Sequence, residues 1–231
     1  MKKNFIYFLE WIIEFILFAS YPVKTFFYFF VPIHQVVNNS QHKTPIIIVE
    51  LWFSQNIYHY FLKRYLEKNG FRVYMFNSNL FINGIDDGAQ ELDEFMNERK
   101  ISKAVLVGIS LGGLCAYQYF RKYGWERIEK LVTIGAPFYG TPWIFPLFLF
   151  KAGRELIPGS KFVNTLKAEK ITNPDRIVCL TAKYDELVPD ESSVLKGARH
   201  IEVDVVGHNF LHILSKETYE QVAKESLRLD N

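Results

Sequence analysis

The stretch that decides the fold is VLVGISLGGLCAYQYF, residues 105–120. It opens inside an apolar run from Ala104 to Val107, which is typical of a fully buried strand. A G-x-S-x-G pattern centred on Ser110 follows, and the residues from Leu111 to Tyr123 have the period of a helix. A strand, a tight turn and a helix are the context in which such a serine projects from the edge of a sheet. The stretch therefore predicts a nucleophilic Ser110, with the N–H of Leu111 directed at a developing oxyanion.

The composition limits the class of protein. The chain has 231 residues, 49% of them hydrophobic and 16% aromatic, which is enough for one α/β domain and too apolar for a disordered chain. A formal charge of +2 gives no strong field, so no nucleic-acid partner is predicted. Cys115 and Cys179 lie in apolar patterns and are predicted to be buried free thiols. No His/Cys/Asp cluster has metal-ligand spacing, so neither a metal nor another cofactor is predicted.

Residues 4–33 differ from the rest of the chain, because Phe, Ile, Leu and Val dominate them. Glu10 and Glu14 interrupt the apolar run that a secretory signal needs. For a spanning helix, the gain from the apolar residues nearly cancels the cost of two acids at about +3 kcal/mol each, if Glu is costed like Asp. The polar residues recur at helical spacing and fall on one stripe: Lys3, Tyr7, Glu10, Glu14 and Tyr21.

This stripe predicts a membrane-associating segment, with contact through residues 1–33. Two forms stay open: a helix that lies in the bilayer interface, and a hairpin broken at Tyr21-Pro22. The alternative without a membrane is a core or cap helix that packs on the globular domain. The side of the membrane is not predicted, and the domain itself is expected to be soluble.

The rest of the chain alternates strand and helix patterns. We therefore predict a segment and polar linker over 1–43, followed by one domain over 44–231. Alternating elements predict a mostly parallel sheet with helices on both faces, and with ligands at the carboxyl ends of the strands. The predicted strands cover 46–49, 71–76, 104–107, 128–134, 176–181 and 199–205.

A serine hydroxyl needs an imidazole to remove its proton, and the imidazole needs a carboxylate to fix its tautomer. On such a sheet the chain order should be Ser, Asp or Glu, then His, each just past a strand. Ser110, Asp185 and His208 satisfy that order. Glu186 is an adjacent rival for the acid, and His212 is a rival for the base one helical turn later. Asp190 and Asp204 fit less well, since neither follows a strand directly.

Five motifs in this order resemble the α/β-hydrolases, in particular small bacterial lipases and esterases, over about residues 45–215. They are GISLGG (108–113), TIGAPFYGT (133–141), LIPGSKFVNTL (156–166), YDELVP (184–189) and VVGHNFLH (205–212). The resemblance implies Ser110 as nucleophile, Asp185 as acid and His208 as base. It also implies that the N–H of Trp52, or that of Leu51, completes the oxyanion hole with that of Leu111.

The resemblance predicts a serine hydrolase that cleaves carboxylic esters, with lipid-like acyl substrates, through an acyl-enzyme. The apolar residues 143–150 would line or cover the acyl pocket. Two alternatives remain: an acyltransferase that uses the same triad, and a non-catalytic membrane-bound scaffold. The scaffold alternative rests on Glu50, which stands where the family usually has a histidine and would place a carboxylate beside the oxyanion.

Overall fold

A computed structural model describes residues 2–28, 40–50, 58–78, 84–143 and 147–228 of the protein, with the side chains of the N-terminal helix placed over 3–20. The strands are β1 (Ile46–Glu50), β2 (Val73–Asn77), β3 (Ala104–Ile109), β4 (Ile128–Ile134), β5 (Ile177–Tyr184) and β6 (Arg199–Val206). The longer helices are α1 (Lys2–Tyr28), α2 (Tyr60–Lys68), α3 (Ile85–Glu98) and α4 (Leu111–Tyr123). The later helices are α5 (Lys151–Glu155), α6 (Lys161–Ala168), α7 (Asp190–Ser193), α8 (His208–Ile213) and α9 (Lys216–Leu227).

The strands of the described residues form one parallel sheet in the order β2-β1-β3-β4-β5-β6. The central strand β3 pairs with β1 through Ile46 and Val105, and with β4 through Ile109 and Ile134. Because all strands run in the same direction, the loops that follow β1, β3, β5 and β6 meet at one edge of the sheet. The nucleophile, acid and base predicted from the sequence all follow strands of this set.

Both faces of the sheet are covered, as alternate residues of β1 illustrate. Ile47 and Val49 lie in a core shared with α3 and α4, whereas Ile46 and Ile48 pack in a second core with α2 and α9. All four side chains are fully buried, because successive residues of a strand point to opposite faces. A parallel sheet between two helical layers confirms the predicted fold class. Cys115 and Cys179 are buried and unpaired, as predicted.

Residues Lys2–Tyr28 form one continuous helix, so the alternative of a hairpin broken at Tyr21-Pro22 is wrong. Within the described part of the chain, no helix is long and apolar enough to cross a membrane. Glu10 and Glu14 are buried against the domain, while Phe5, Phe15 and others on the opposite side of α1 are exposed. The helix therefore packs on the domain through its polar stripe and leaves its apolar side outward. The alternative of a helix packed on the domain therefore predicted the location of α1 correctly. The contact is made by the polar stripe of the helix and not by its apolar side.

Two sequence predictions fall partly outside the described residues. Of the predicted segment and linker over 1–43, residue 1 and residues 29–39 lie outside the described part. Of the apolar stretch 143–150, residues 144–146 lie outside the described part, and Leu147–Leu149 form a short 3-10 helix.

Candidate active site

Ser110 occupies a strained turn between β3 and α4. Its φ of 50° and ψ of −122° lie in a region that residues with a side chain rarely adopt. The flanking glycines make the turn sterically feasible. A Cβ on Gly112 would lie 2.0 Å from the carbonyl oxygen of Val49, and one on Gly108 would lie 2.4 Å from the Cα of Gly113. The strand, the turn and the helix therefore have the close approach that the G-x-S-x-G pattern predicted.

The structure brings Ser110 and the two other predicted triad residues together. Nε2 of His208 lies 3.0 Å from the Ser110 Oγ, although the two residues are 98 positions apart in the chain. Nδ1 of the same ring lies 2.7 Å from Oδ2 of Asp185. Ser110 is partly exposed, while the side chains of the other two are almost completely buried. A hydroxyl, an imidazole and a carboxylate thus form one hydrogen-bonded series that opens to the surface at the serine.

The Asp185 carboxylate is fixed on both of its oxygens. Oδ1 accepts the backbone N–H groups of Leu187 at 2.9 Å and Val188 at 2.8 Å, which leaves Oδ2 for the imidazole. Gly135 lies against the pair, since a Cβ there would be 3.0 Å from Cε1 of His208. Its φ of 58° also suits a glycine. The rival acid Glu186 instead accepts the backbone N–H of His208 at 3.0 Å, so it contacts the histidine without touching its ring nitrogens.

The electrostatics of the site favour a basic imidazole. Burial lowers the pKa of His208, but the charge and the hydrogen bond of Asp185, with Glu186 and Glu14 nearby, raise the pKa above its usual value. An imidazole of this kind is a better proton acceptor for a serine hydroxyl. Burial raises the pKa of Glu186 to about 7, and the neighbouring carboxylate of Glu14 adds to that shift. Three carboxyl groups thus surround the histidine.

One of the two predicted oxyanion donors can be located. Leu111 is the first residue of α4, so its backbone N–H has no partner within the helix. It directly follows Ser110, where a helix N-terminus favours a developing negative charge. Trp52 and Leu51 lie outside the described residues. Within the described parts of the chain, no group of three or more His, Cys, Asp or Glu side chains is arranged to hold a metal ion.

Glu50 belongs to a buried polar network that the sequence did not predict. Its carboxylate bonds to Nδ1 of His59, and Nε2 of that ring lies 2.9 Å from Nδ1 of His212. The His212 ring in turn lies edge-on to the ring of His208, with 5.3 Å between centroids. Burial lowers the pKa of His212 well below its usual value, and the neighbouring His59 and His208 lower it further. One oxygen of the Glu50 carboxylate is therefore paired with an imidazole, while Oε2 is buried without a partner among the described residues.

The sequence carried no signal for this network beyond the identity of its members. His59 lies before α2 and His212 lies on α8, 153 positions later. On the sequence alone, His212 is only a rival for the base. In the structure the His212 ring bonds to His59, and the ring that bonds to Ser110 is that of His208.

Comparisons with known proteins agree with the observed fold. A family model described as the alpha/beta hydrolase fold matches residues 83–169. A lipase from Bacillus licheniformis in its mature form has a TM-score of 0.63 at 16% identity, over 80% of this chain and 96% of that one. In its propeptide form the TM-score is 0.62 at 16% identity, over 83% of this chain and 53% of that one. An esterase from Exiguobacterium antarcticum has a TM-score of 0.59 at 16% identity, over 82% of this chain and 94% of that one.

A comparison with curated protein sequences gave no match. At 16% identity the solved structures show a shared fold and leave the activity of this chain to be argued from its own residues. The family model adds a match in sequence that includes the turn at Ser110 and α4. Taken together, these comparisons show that the chain has the α/β-hydrolase fold and that its residues 83–169 are similar in sequence to that family.

Proposed function

We propose that the protein is a serine hydrolase that cleaves carboxylic esters through an acyl-enzyme. The observation that carries this proposal is the hydrogen-bonded series from Ser110 Oγ through His208 to Asp185, at 3.0 and 2.7 Å. Both distances lie within the reach required for a base and for the group that orients it. The strained backbone of Ser110 supports the same role, because such strain concentrates at functional sites.

The proposed reaction has two stages. His208 takes the proton of Ser110 as the serine oxygen attacks the ester carbonyl, and the N–H of Leu111 stabilises the oxyanion with that of Trp52. The histidine then gives its proton to the leaving alcohol, which departs and leaves the acyl-enzyme. Water attacks this ester with His208 again as the base, and the histidine then returns the proton to the Ser110 oxygen as the free acid leaves. Asp185 keeps the ring in the tautomer whose Nε2 can accept a proton.

The contacts of Glu50 support hydrolysis over the scaffold alternative. That alternative rests on a carboxylate beside the oxyanion, where it would repel the negative charge. Oε1 of Glu50 instead bonds to the buried ring of His59, whereas Oε2 is buried without a partner among the described residues. The bond to His59 supports a carboxylate held toward the start of α2, and this is the basis for preferring hydrolysis.

The test of the catalytic role is covalent labelling with a fluorophosphonate, paired with hydrolysis of short chromogenic esters. The wild-type protein should be labelled, and Ser110→Ala should lose both labelling and hydrolysis by several orders of magnitude while its thermal unfolding is unchanged. Comparing butyrate with palmitate esters then tests the preference for long acyl chains. A Ser110→Ala protein that keeps more than a few per cent of the activity in a clean preparation would reject this serine.

The outward side of α1 is proposed to contact a lipid surface. Phe5, Phe8, Phe15 and Phe18 are between 59% and 74% exposed, and Ile16 is 57% exposed. Apolar area of this extent is rare on monomeric proteins unless it meets a membrane or a partner. Since the polar stripe is already occupied by the domain, the free side can enter the boundary between headgroups and acyl chains.

Sedimentation with phosphatidylcholine vesicles tests this contact. The full-length protein should sediment with the vesicles, and the double change Phe8→Glu, Phe15→Glu should leave it in the supernatant with its hydrolysis of a short ester retained. Size-exclusion chromatography is the control for self-association. A dimer that the double change dissociates, with no vesicle binding in the wild type, would assign this side of α1 to a second copy of the chain.

A further inference from the structure

The loop that carries His208 is held by a carboxylate from the other end of the chain. Oε1 of Glu14 accepts the backbone N–H of Asn209 at 3.0 Å and its side-chain amide at 2.5 Å. Oε2 accepts the backbone N–H of Phe210 at 2.7 Å. Glu186 accepts the backbone N–H of His208. Together, the carboxylates of Glu14 and Glu186 thus accept the first three backbone N–H groups of α8. These groups have no partners within the helix, so the carboxylates complete its start.

The fit around Glu14 is tight. Its side chain is almost completely buried, and a Cβ on Gly207 would lie 2.5 Å from Oε2. The φ of 104° at this glycine is a second reason for its presence. A buried carboxylate is costly unless its oxygens are hydrogen-bonded, so the three bonds fix both the acid and the backbone it contacts. Gly207 and Asn209 are the two neighbours of His208 in the chain.

The contact is part of a continuous seam between α1 and the domain. Tyr7 bonds to Asp204, and Glu10 accepts the N–H of Val206 at 2.9 Å on the edge strand β6. Further along the helix, Leu17 packs against Ile213. The seam follows the chain from the end of β6 through α8, with Glu14 in the middle, because residues at helical spacing share one face. The polar stripe of α1 is therefore complementary to the segment that carries the histidine.

We propose that Glu14 is a positioning residue of the active site, which fixes the backbone on either side of His208 so that its ring reaches Ser110. This inference rests on the proposed function and adds α1 to the machinery that performs it. The helix whose apolar side is proposed to contact lipid would then also hold the base in place. Removing α1 should damage catalysis even on a soluble ester.

The test compares Glu14→Gln, Glu14→Asp and Glu10→Gln in the full-length protein. Gln removes the charge and one acceptor, whereas Asp keeps the charge but is too short to reach both N–H groups. Glu10→Gln is the matched control. Glu10 is also a buried acid on this face of α1, but it accepts the N–H of Val206 and makes no bond to the first residues of α8. The measurements are kcat and KM on a short soluble ester, thermal unfolding, and amide hydrogen exchange of a peptide covering residues 206–214.

Both Glu14 variants should lower kcat about 10- to 100-fold, with KM within about threefold of wild type, because a displaced base slows the chemical step. Exchange of residues 206–214 should accelerate in these variants. Glu10→Gln should keep kcat within about threefold. Wild-type kcat and exchange in both Glu14 variants would overturn the inference, as would equal losses in Glu14→Gln and Glu10→Gln, which would indicate general undocking of α1.

The exchange measurement separates this inference from the proposed function. If the wild-type protein shows no labelling and no ester hydrolysis, the proposed function fails. In that case, faster exchange of residues 206–214 in the Glu14 variants, but not in Glu10→Gln, would still show that Glu14 fixes the loop. Unchanged exchange would reject that role. Glu14→Asp covers the case in which Glu14→Gln unfolds, because it retains the charge.

Discussion

Replacing Asp185 by Asn should inactivate the protein through the wrong histidine tautomer. The N–H groups of Leu187 and Val188 both point at Oδ1, so the oxygen of an asparagine side chain takes that position. Its NH₂ group then faces Nδ1 of His208, where Oδ2 now lies at 2.7 Å. The ring must accept that hydrogen bond and carry its own proton on Nε2. In this state it cannot take the proton of Ser110.

The expected loss in kcat is about 10⁴-fold, the size associated with a wrong tautomer in a Ser-His-Asp triad. At about 1.36 kcal/mol for each factor of ten, this corresponds to roughly 5.4 kcal/mol of lost transition-state stabilisation. The two side chains have nearly the same shape, and the bonds to Leu187 and Val188 remain. Thermal unfolding should therefore move by only a few degrees.

The assay is steady-state hydrolysis of a short chromogenic ester by Asp185→Asn and by Glu186→Gln as the matched control. Glu186 is the adjacent carboxyl group, and it bonds to the backbone N–H of His208 and to the side chain of Glu14. Its amide variant should keep kcat within about tenfold. If Asp185→Asn retains more than a tenth of the wild-type kcat, the tautomer argument fails. If Glu186→Gln is the more damaged of the two, the acid of the triad has been misassigned.

Two further predictions concern the same loop. His208→Ala should be as damaging as loss of the nucleophile, because triad members act as a unit, whereas His212→Ala should cost less than about tenfold in kcat; the reverse order would move the base to His212. The raised pKa of Glu186, about 7 against 4.5, means that the folded protein binds more protons than the unfolded chain between these values. The contribution of Glu186 to stability therefore falls as pH rises through that window. As the pH is raised from 5 to 8, the melting temperature of Glu186→Gln should rise relative to that of the wild type. Parallel curves for the two proteins would contradict the raised pKa of Glu186.

The sequence determined by itself those features that depend on neighbours in the chain. Apolar runs with glycines two positions either side of Ser110 specify a strand, a turn and a helix locally, and the structure confirms this arrangement. The alternation of strands and helices also predicted the parallel sheet. Because parallel strands end at one edge, the order Ser110, Asp185, His208 was enough to predict that the three would meet.

Only the tertiary structure decided what depends on distant segments. Asp185 and Glu186 are adjacent and alike in sequence, and their roles separate through the N–H groups and ring nitrogen that each can reach. The polar stripe of α1 predicted one face of a helix, yet the partner of Glu14 lies 195 positions away. Periodicity describes a single helix and carries no information on what covers it. Burial of a carboxylate requires matching donors, and here the donors are the free N–H groups at the start of α8.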